Sequence, residues 1–302
     1  MSGIVDTTKL VEARTTFSQA FNKGLTGTRT NVIANILASE QASSGAKSKY
    51  PIVGGLQRFR EFLGERVYQD FGRYAYELAN RTFIDDVEVS LDDFEDEQYG
   101  GYITLFEQLG QQASQWQEDL LIDALKAGET EKSYDDVAFF SATHKLEPKV
   151  ASTAYSNLFT GTALTEANFD AVYTSMETVA TRDGRFTGFG KDVVLVVPPQ
   201  LETTGKKIVQ ASQNAQGATN VLAGKARVLK IQDLGTAPTE WYLADVGNVL
   251  KPLLFQMRKA PRLLAPRGTE DYITAKRVLR WHGEARGAAG YCAPWLMAKA
   301  KA

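Results

Sequence analysis

The sequence predicts an α+β protein with one dominant helix and a second domain built around a strand–helix–strand unit. From Tyr102 onward, large apolar residues recur at helical spacing and predict a single helix over residues 101–127. Residues 193–231 begin with the continuous apolar run VVLVV and continue as a helix and a further strand. Strand patterns over 240–245, 250–256 and 272–281 then close the chain. Helices and strands in separate runs favour the α+β class.

The long helix would measure about 40 Å at ~1.5 Å per residue, so an equally long surface must pack against it. Its predicted core face consists of Leu105, Phe106, Leu109, Trp116 and Leu120. The opposite face is rich in glutamine and also carries Glu118, so we expect it to be wet or half-buried against a polar partner. Gly128 is the expected left-handed end of the helix.

An acidic turn precedes this helix. Ser90 and Asp93 form a capping pattern, and Asp92, Glu95, Asp96 and Glu97 place negative charge near helix N-termini. Such acids could also bind a divalent cation. The cluster lacks the glycine-punctuated, alternating ligand spacing of a calcium loop, which favours capping.

Composition excludes several classes of protein. Of 302 residues, 34 are Lys or Arg and 36 are Asp or Glu, and the net charge of −2 argues against a dedicated DNA-binding module. The single cysteine, Cys292, rules out an intrachain disulfide. We expect neither a signal peptide nor a membrane span, because the N-terminus lacks the first pattern and no apolar run approaches 18 residues. We find no nucleophile elbow, P-loop, HExxH or Cys-x-x-Cys motif, and we expect no cofactor, bound metal or catalytic residues.

The first forty residues predict a helix over 8–25, followed by a short strand or turn at 31–37. This helix could pack on its own domain or lie on a neighbouring molecule. Both interpretations stay open at this point.

Residues 43–84 form a long connection, broken by glycines at short intervals, in which aromatic residues alternate with arginines. Such interleaving fits a protein interface, nucleic-acid stacking or a half-buried hairpin. We favour an interface between subunits. The predicted contact residues are Tyr50, Arg58, Phe59, Arg60, Phe62, Arg66, Tyr68, Phe71, Arg73 and Tyr74.

The middle of the chain is more conventional. Residues 129–157 read as a loop in which His144 stands near Asp135 and Asp136, and we expect this histidine to be structural because the chain has only one other. A helix over 164–180 begins at the cap Thr165. Tyr291 and Trp295 are expected to pack near the end of the chain.

Five segments in order carry a resemblance to a known family. They are YELANRTFIDDVEVSLDDFEDEQYGGYITLFEQLG, QEDLLIDALKAG, YDDVAFFSATH, WYLADVGNVLKPLLFQMRKAPRLL and RGAAGYCAPWLMA. Together they resemble the major head subunit family of Mu-like phages and prophages. The resemblance implies the HK97-type capsid fold, with an N-terminal arm (1–42) on a neighbouring subunit, an extended loop (43–84) and a peripheral domain with the long spine helix (85–160). An axial domain (161–238) and return strands to the peripheral domain (239–302) complete it.

The function implied is a non-enzymatic major capsid protein that assembles as hexamers and pentamers into an icosahedral shell in the bacterial cytoplasm. Implied partners are further copies of the chain, portal, scaffold and decoration proteins, and enclosed double-stranded DNA without sequence-specific binding. Because the chain begins at the arm-like helix, we expect a separate scaffold. The alternative is a hydrolase or metal-dependent enzyme that uses the acids of Asp92–Glu97 and Asp135–His144.

Overall fold

The computed structural model describes residues 7–27, 32–52, 61, 64, 66, 74–96, 99–147, 154–181, 184–213, 217–265 and 276–302. Its α-helices are α1 (Thr7–Gly27), α2 (Val32–Leu37), α3 (Leu91–Glu95), α4 (Tyr99–Ala127), α5 (Glu166–Glu177) and α6 (Glu202–Val209). Short 3₁₀ helices cover Pro199–Leu201, Gln232–Thr236 and Pro294–Leu296. Among the described residues, no helix combines the length and apolar character needed to cross a membrane.

A four-stranded sheet lies beside the long helix α4. Its strands, in spatial order, are β1 (Ala38–Ala42), β11 (Leu253–Leu264), β12 (Val278–Tyr291) and β4 (Arg81–Ser90). β1 is parallel to β11, and the other two pairs are antiparallel. β2 (Lys47–Pro51) and β3 (Ala75–Ala79) form an antiparallel hairpin stem next to this sheet. Because β4 is the last strand in this spatial order, it lies at an edge of the four-stranded sheet.

A five-stranded sheet forms the second lobe. Its strands, in spatial order, are β7 (Leu158–Thr160), β13 (Met297–Lys301), β10 (Glu240–Asp245), β8 (Val193–Val197) and β9 (Arg227–Lys230). The remaining strands β5 (His144–Lys145) and β6 (Ala154–Tyr155) pair with each other. Residues 240–245, which were expected to return to the domain of the long helix, pair with β8 in this sheet, and Tyr242 and Ala244 share a core cluster with the C-terminal half of α4.

The strand β8 is apolar throughout because both of its faces are covered. Val194 and Val196 pack with the C-terminal half of α4, whereas Val193, Leu195 and Val197 pack with α5 and α6. Side chains alternate between the two faces of a strand, so one continuous run fills both cores. The helix α5 begins as predicted, with Thr165 Oγ1 accepting a hydrogen bond from the backbone N–H of Asn168 at 3.2 Å.

The long helix is confirmed, with one error in its predicted face. Phe106, Leu109 and Leu120 are buried and Trp116 is half-buried, but Leu105 is 52% exposed. Gly128 does not adopt a positive φ. A Cβ on this glycine would lie 2.6 Å from the ring of Phe140, so glycine is needed here for close packing.

The helix α1 packs on α4 of the same chain. Phe17 stacks on Phe106 with ring centroids 4.4 Å apart and meets the edge of Trp281 at 5.2 Å. Ala13, Ala20 and Phe21 are buried in the same cluster. Two interpretations of residues 8–25 were open, a helix packed on its own domain or a helix on a neighbouring molecule. Within this single chain, the helix packs on its own domain.

Residues 32–37 form a helix, so the predicted strand or turn is wrong here. Ile33, Ala34 and Leu37 are buried at helical spacing. The backbone N–H of Ile33 donates to the Glu118 carboxylate at 3.0 Å, which satisfies a free donor at the start of α2. Glu118 is buried against this polar partner, whereas its face of α4 was expected to be wet or half-buried against a polar partner.

The strand β12 continues to Tyr291, beyond the predicted end at residue 281, because its glycines permit close approach. A Cβ on Gly283 would lie 2.6 Å from the carbonyl oxygen of Asp85, and one on Gly287 would lie 2.5 Å from that of Gln256. After β12, a 3₁₀ turn carries the chain into β13 of the other sheet. Tyr291 and Trp295 are buried as predicted.

Candidate intersubunit surface

The root of the β2–β3 hairpin is fixed to the four-stranded sheet by hydrogen bonds among buried and half-buried polar side chains. The Tyr50 hydroxyl donates to Gln256 Oε1 at 2.7 Å, and Gln256 Nε2 donates to Asn80 Oδ1 at 2.6 Å. Asn80 Nδ2 in turn donates to Ser43 Oγ at 2.9 Å and to the Gly45 carbonyl at 2.8 Å. Burial raises the pKa of Tyr50, so its hydroxyl keeps the proton that it donates.

A cluster of aromatic side chains also packs against the root of the hairpin. Ile52 is buried, and Tyr74 meets Tyr134 edge-on with ring centroids 6.3 Å apart. Tyr134 continues the contact to Trp295 at 5.9 Å. Burial raises the pKa of the Tyr134 hydroxyl, which donates to the Lys145 carbonyl at 3.0 Å. Both ends of the connection between the two strands are therefore anchored in the core.

The outer face of the stem carries exposed charges. Lys47 Nζ lies 2.8 Å from the Glu77 carboxylate, and Lys49 Nζ lies 3.6 Å from it. The hydrogen bond raises the pKa of Lys47 and lowers that of Glu77. All three side chains are well exposed, so the pairing contributes little to stability.

Most of the predicted contact residues lie outside the described part of the chain: Arg58, Phe59, Arg60, Phe62, Tyr68, Phe71 and Arg73. Arg66 is described and exposed. Tyr50 and Tyr74 were expected at the interface between subunits, yet their side chains pack within their own subunit at the hairpin root. The structure thus distinguishes the root of the β2–β3 hairpin, which is anchored in the subunit core, from the segment 53–73 that connects the two strands.

An apolar groove of about 280 Å³ lies between α4 and the edge strand β4. Phe83 and Ile84 line it from β4, and Leu109 and Trp116 line it from α4. Ile84 is 74% exposed. The carboxylates of Asp85, Asp119 and Glu284 also line the groove, and Glu284 is paired with Arg262. No local sequence pattern indicates this groove, because the residues that line it come from distant segments of the chain.

Two acids of the turn named in the enzymatic alternative, Asp92 and Asp93, have structural partners. Ser90 Oγ accepts from the backbone N–H of Asp92 at 3.2 Å, Asp92 pairs with Arg277, and Asp93 accepts from the Tyr102 hydroxyl. Within the described ranges, no group of three or more His, Cys, Asp or Glu side chains could hold a metal ion. His144 and Asp135 contact each other but are sealed from solvent, which leaves no access for a substrate.

Structural comparison identifies the fold. A structure described as the procapsid of bacteriophage JBD30 matches 99% of this chain and 76% of its own chain, with a TM-score of 0.61 and 20% sequence identity. The JBD30 capsid matches 76% of this chain and 98% of its own, with a TM-score of 0.55 and 23% identity. The fold is that of HK97-type phage capsid proteins.

The sequence model of the family described as "Mu-like prophage major head subunit gpT" matches residues 10–163, 160–234 and 230–302. The chain belongs to this family. It is 26% identical to the major capsid protein of Escherichia phage Mu over 88% of this chain and 65% of the relative. It is 23% identical to the Mu-like prophage FluMu major head subunit of Haemophilus influenzae over 87% of this chain and 64% of the relative. The chain thus spans just under two thirds of the length of these curated relatives.

Proposed function

We propose that the chain is the major capsid protein of a tailed double-stranded DNA phage or prophage, and that it has no catalytic role. The observation that carries this proposal is the match of one major head subunit family along residues 10–302, on a fold shared with phage capsid proteins. The hydrolase alternative has no observation in its favour among the described residues, because Asp92 and Asp93 have structural partners and the Asp135–His144 pair is sealed from solvent.

The proposed assembly is a shell of hexamers and pentamers. It assembles in the host cytoplasm and forms the capsid of the virion. One related JBD30 structure is described as a capsid decorated with minor capsid protein trimers, which supports a decoration protein as a partner. Scaffold and portal proteins are further proposed partners. Packaged DNA would be enclosed without sequence-specific binding. A net charge of −2 fits a capsid shell that does not bind the packaged DNA electrostatically.

The contacts between subunits are proposed to come from the segment 53–73, with Arg58, Phe59, Arg60, Phe62, Arg66, Tyr68, Phe71 and Arg73 as contact residues. This segment combines arginines with aromatic side chains, and its two ends are anchored by the hairpin root. The groove between α4 and β4 is apolar and is also lined by Asp85 and Asp119, which would suit a segment that carries both aromatic side chains and arginines. Aromatic residues and arginine are the types enriched at interfaces.

The proposed domain organisation follows the sheets. Residues 43–84 contain the extended loop, 85–160 the spine helix and most of the peripheral domain, and 161–238 the axial domain. The strands β10 and β13 are assigned to the axial domain in this proposal, because they pair within the five-stranded sheet. The strands β11 and β12 remain peripheral, beside α4.

The direct test is assembly of the purified chain, alone and co-expressed with head-assembly proteins from the same genome. Electron microscopy and sedimentation should show capsomers or closed shells. Discrete small oligomers under both conditions would contradict the proposal.

The groove can be tested by a matched pair of variants. Ile84→Asp alters the groove at a strongly exposed position, so the isolated subunit should unfold as the wild type does while assembly falls. Val249→Asp is the control, because Val249 is fully exposed and outside the groove. Equal assembly by both variants would remove the groove from the interface.

A further inference from the structure

One edge of the strand β4 has no partner strand among the described residues. The ten residues of β4 pair with β12 from Arg81, opposite Gly287, to Ser90, opposite Val278, and β4 ends the spatial order of the sheet. The backbone N–H and C=O groups that point away from an edge strand can pair with a further strand. β4 also contains no proline, which would remove a donor. The edge is therefore a long acceptor for another strand.

The side chains of this edge carry negative charge. On the face of β4 turned away from α4, Ile84 is 74% exposed, and Asp86 and Glu88 form exposed ion pairs with His282 and Arg280 of β12. Such pairs contribute little to stability, so both carboxylates are available to another cation. Two β4 strands from different copies would bring these acids together. Like charges opposite each other destabilise a strand pair, which argues against a second β4 as the occupant of the edge.

We propose that residues 56–63 of a neighbouring copy add to β4 as a fifth, antiparallel strand of the four-stranded sheet. This inference rests on the proposed assembly and specifies how the segment 53–73 is bound. The segment contains no proline, so each of its residues has a backbone N–H to donate.

The sequence of the segment fits one antiparallel register. Along 56–63, two arginines and a phenylalanine recur at every second position, and along β4 an isoleucine and two acids do the same in the reverse order. Side chains at every second position share a face of a strand. The resulting cross-strand pairs are Arg58 with Glu88, Arg60 with Asp86, and Phe62 with Ile84. Pairs of opposite charge and apolar pairs are those that stabilise neighbouring strands.

The other face of the added strand would cover part of the groove between α4 and β4. In the same register, Leu63 lies opposite Phe83, whose ring meets the edge of Trp116 on α4. Glu61 would lie opposite Asp85, and this pair of like charges opposes the register. The two ion pairs and two apolar pairs outweigh it, because each cross-strand pair contributes a similar amount.

The added strand must come from another copy, because the chain is too short to deliver its own. Tyr76 of the hairpin root lies against Gly290, whereas Glu88 pairs with Arg280, ten residues earlier in β12. At ~3.3 Å per residue, these positions are about 33 Å apart. Arg58 lies six residues beyond the root, and six residues span at most about 22 Å. Donor and acceptor at opposite ends of the subunit give a head-to-tail contact, the type that closes into rings.

The register is tested by exchanging one ion pair. Arg60→Asp and Asp86→Arg should each lower the yield of shells, and the double variant should restore it, because opposite charges again face each other across the interface. Asp96→Arg is the matched control, since Asp96 is an exposed acid outside β4 and its change should not rescue Arg60→Asp. If the wild type forms shells and the double variant does not, the register is wrong. A wild type that forms no shells contradicts the proposed function instead.

Hydrogen exchange tests the main-chain pairing. In the free subunit, the N–H groups of β4 that face β12 should be protected, and the alternate N–H groups should exchange fast. In shells, the alternate groups should become protected as well, which mass spectrometry of the fragment 81–90 measures. Shells in which β4 exchanges as it does in the free subunit would overturn the strand addition.

A synthetic peptide of residues 53–73 makes the test independent of shell formation. Successive N–H groups of a strand point to opposite edges, so N-methylation of residues 58, 60 and 62 and N-methylation of residues 59, 61 and 63 should differ in effect. One methylated peptide should bind the isolated subunit as the unmodified peptide does, and the other about tenfold or more weakly, because three backbone hydrogen bonds are lost. Equal binding of both methylated peptides, or no binding of the unmodified peptide, would overturn the proposal.

Discussion

Gly24 of α1 and Gly110 of α4 meet where the two helices cross, and neither position has room for a side chain. A Cβ on Gly24 would lie 2.0 Å from the carbonyl oxygen of Glu107, and a Cβ on Gly110 would lie 2.0 Å from that of Phe21. Both obstacles are backbone atoms, which cannot rotate away. This mutual contact sets the distance between the first helix and the long helix.

Gly110→Ala should therefore destabilise the subunit even though alanine is the better helix former. Overpacking typically costs ~1–3 kcal/mol, and the backbone obstacle places this variant at the upper end or beyond. The matched control is Gly101→Ala in the same helix, where a Cβ meets nothing within 4 Å. That change should stabilise by up to ~1 kcal/mol. Urea unfolding of both variants measures the difference, and equal stabilities would refute the contact.

Leu109 and Leu105 give a second matched pair on the same helix. Leu109 is 7% exposed and Leu105 is 52% exposed. Leu109→Arg would bury a charge against Phe106 and Phe21 and should cost several kcal/mol, a large share of a typical stability of ~5–15 kcal/mol. Leu105→Arg should stay within ~0.5 kcal/mol. Thermal unfolding of the isolated subunit distinguishes them, and a soluble, normally stable Leu109→Arg protein would show that the helix is oriented differently.

The sequence identifies the long helix because its apolar spacing persists over many turns. It misplaces Leu105 because Leu105 and Phe106 are adjacent and both apolar, so spacing alone does not decide which one points inward. The decision comes from α1, which packs Phe17 against Phe106. That contact joins residues far apart in the sequence, so a local sequence pattern does not predict it.

The hairpin root shows the same limit at the candidate site. Aromatic and arginine content identifies residues 43–84 as unusual, but the same composition serves contacts within a subunit and contacts between subunits. Tyr50 turns inward because Gln256, which lies 206 positions away in the sequence, accepts its hydrogen bond. The predicted strand over 272–281 likewise stopped before the glycines of β12. Their need for close backbone approach is visible only once the neighbouring strands are in place.

The acidic turn yields a prediction about metal removal. If its acids act on helix ends and pair with side chains such as Arg277, no cation is needed for folding. Asp96→Asn, at an exposed position, should cost no more than ~1 kcal/mol. Unfolding curves with and without EDTA should coincide for the wild type and for the variant. A clear loss of stability on adding EDTA would establish a structural cation in the turn.

Cys292 should be chemically inert in the folded subunit. Burial raises the pKa of its thiol to about 11, whereas an unfolded cysteine titrates near ~8.5. The folded thiol therefore contributes stability that is fully present below ~8.5 and is lost as pH rises toward 11. At pH 8, a thiol reagent should modify the native protein far more slowly than the urea-unfolded protein, which serves as the control. Equal rates would show that the thiol is accessible.

The last prediction separates the anchored root of the hairpin from the segment that it carries. A replacement that began before residue 53 would remove Tyr50 or Ile52, which the structure places in the root, so the replacement spans residues 53–73. A short Gly-Ser linker there leaves the hairpin stem and both sheets intact. Loop length enters stability only logarithmically, at ~0.6 kcal/mol per doubling, so the isolated subunit should unfold almost as the wild type does.

Assembly should fail in the same variant, because a shell repeats each lost contact in every subunit. A second variant keeps the full length of 53–73 but replaces its aromatic and arginine side chains with serine and glycine. If side-chain contacts carry the interface, both variants should remain as free subunits or loose capsomers in sedimentation while melting normally. Complete shells from the second variant would show that length, and not side-chain contact, matters. Outright unfolding of either variant would assign the segment to the core of the subunit.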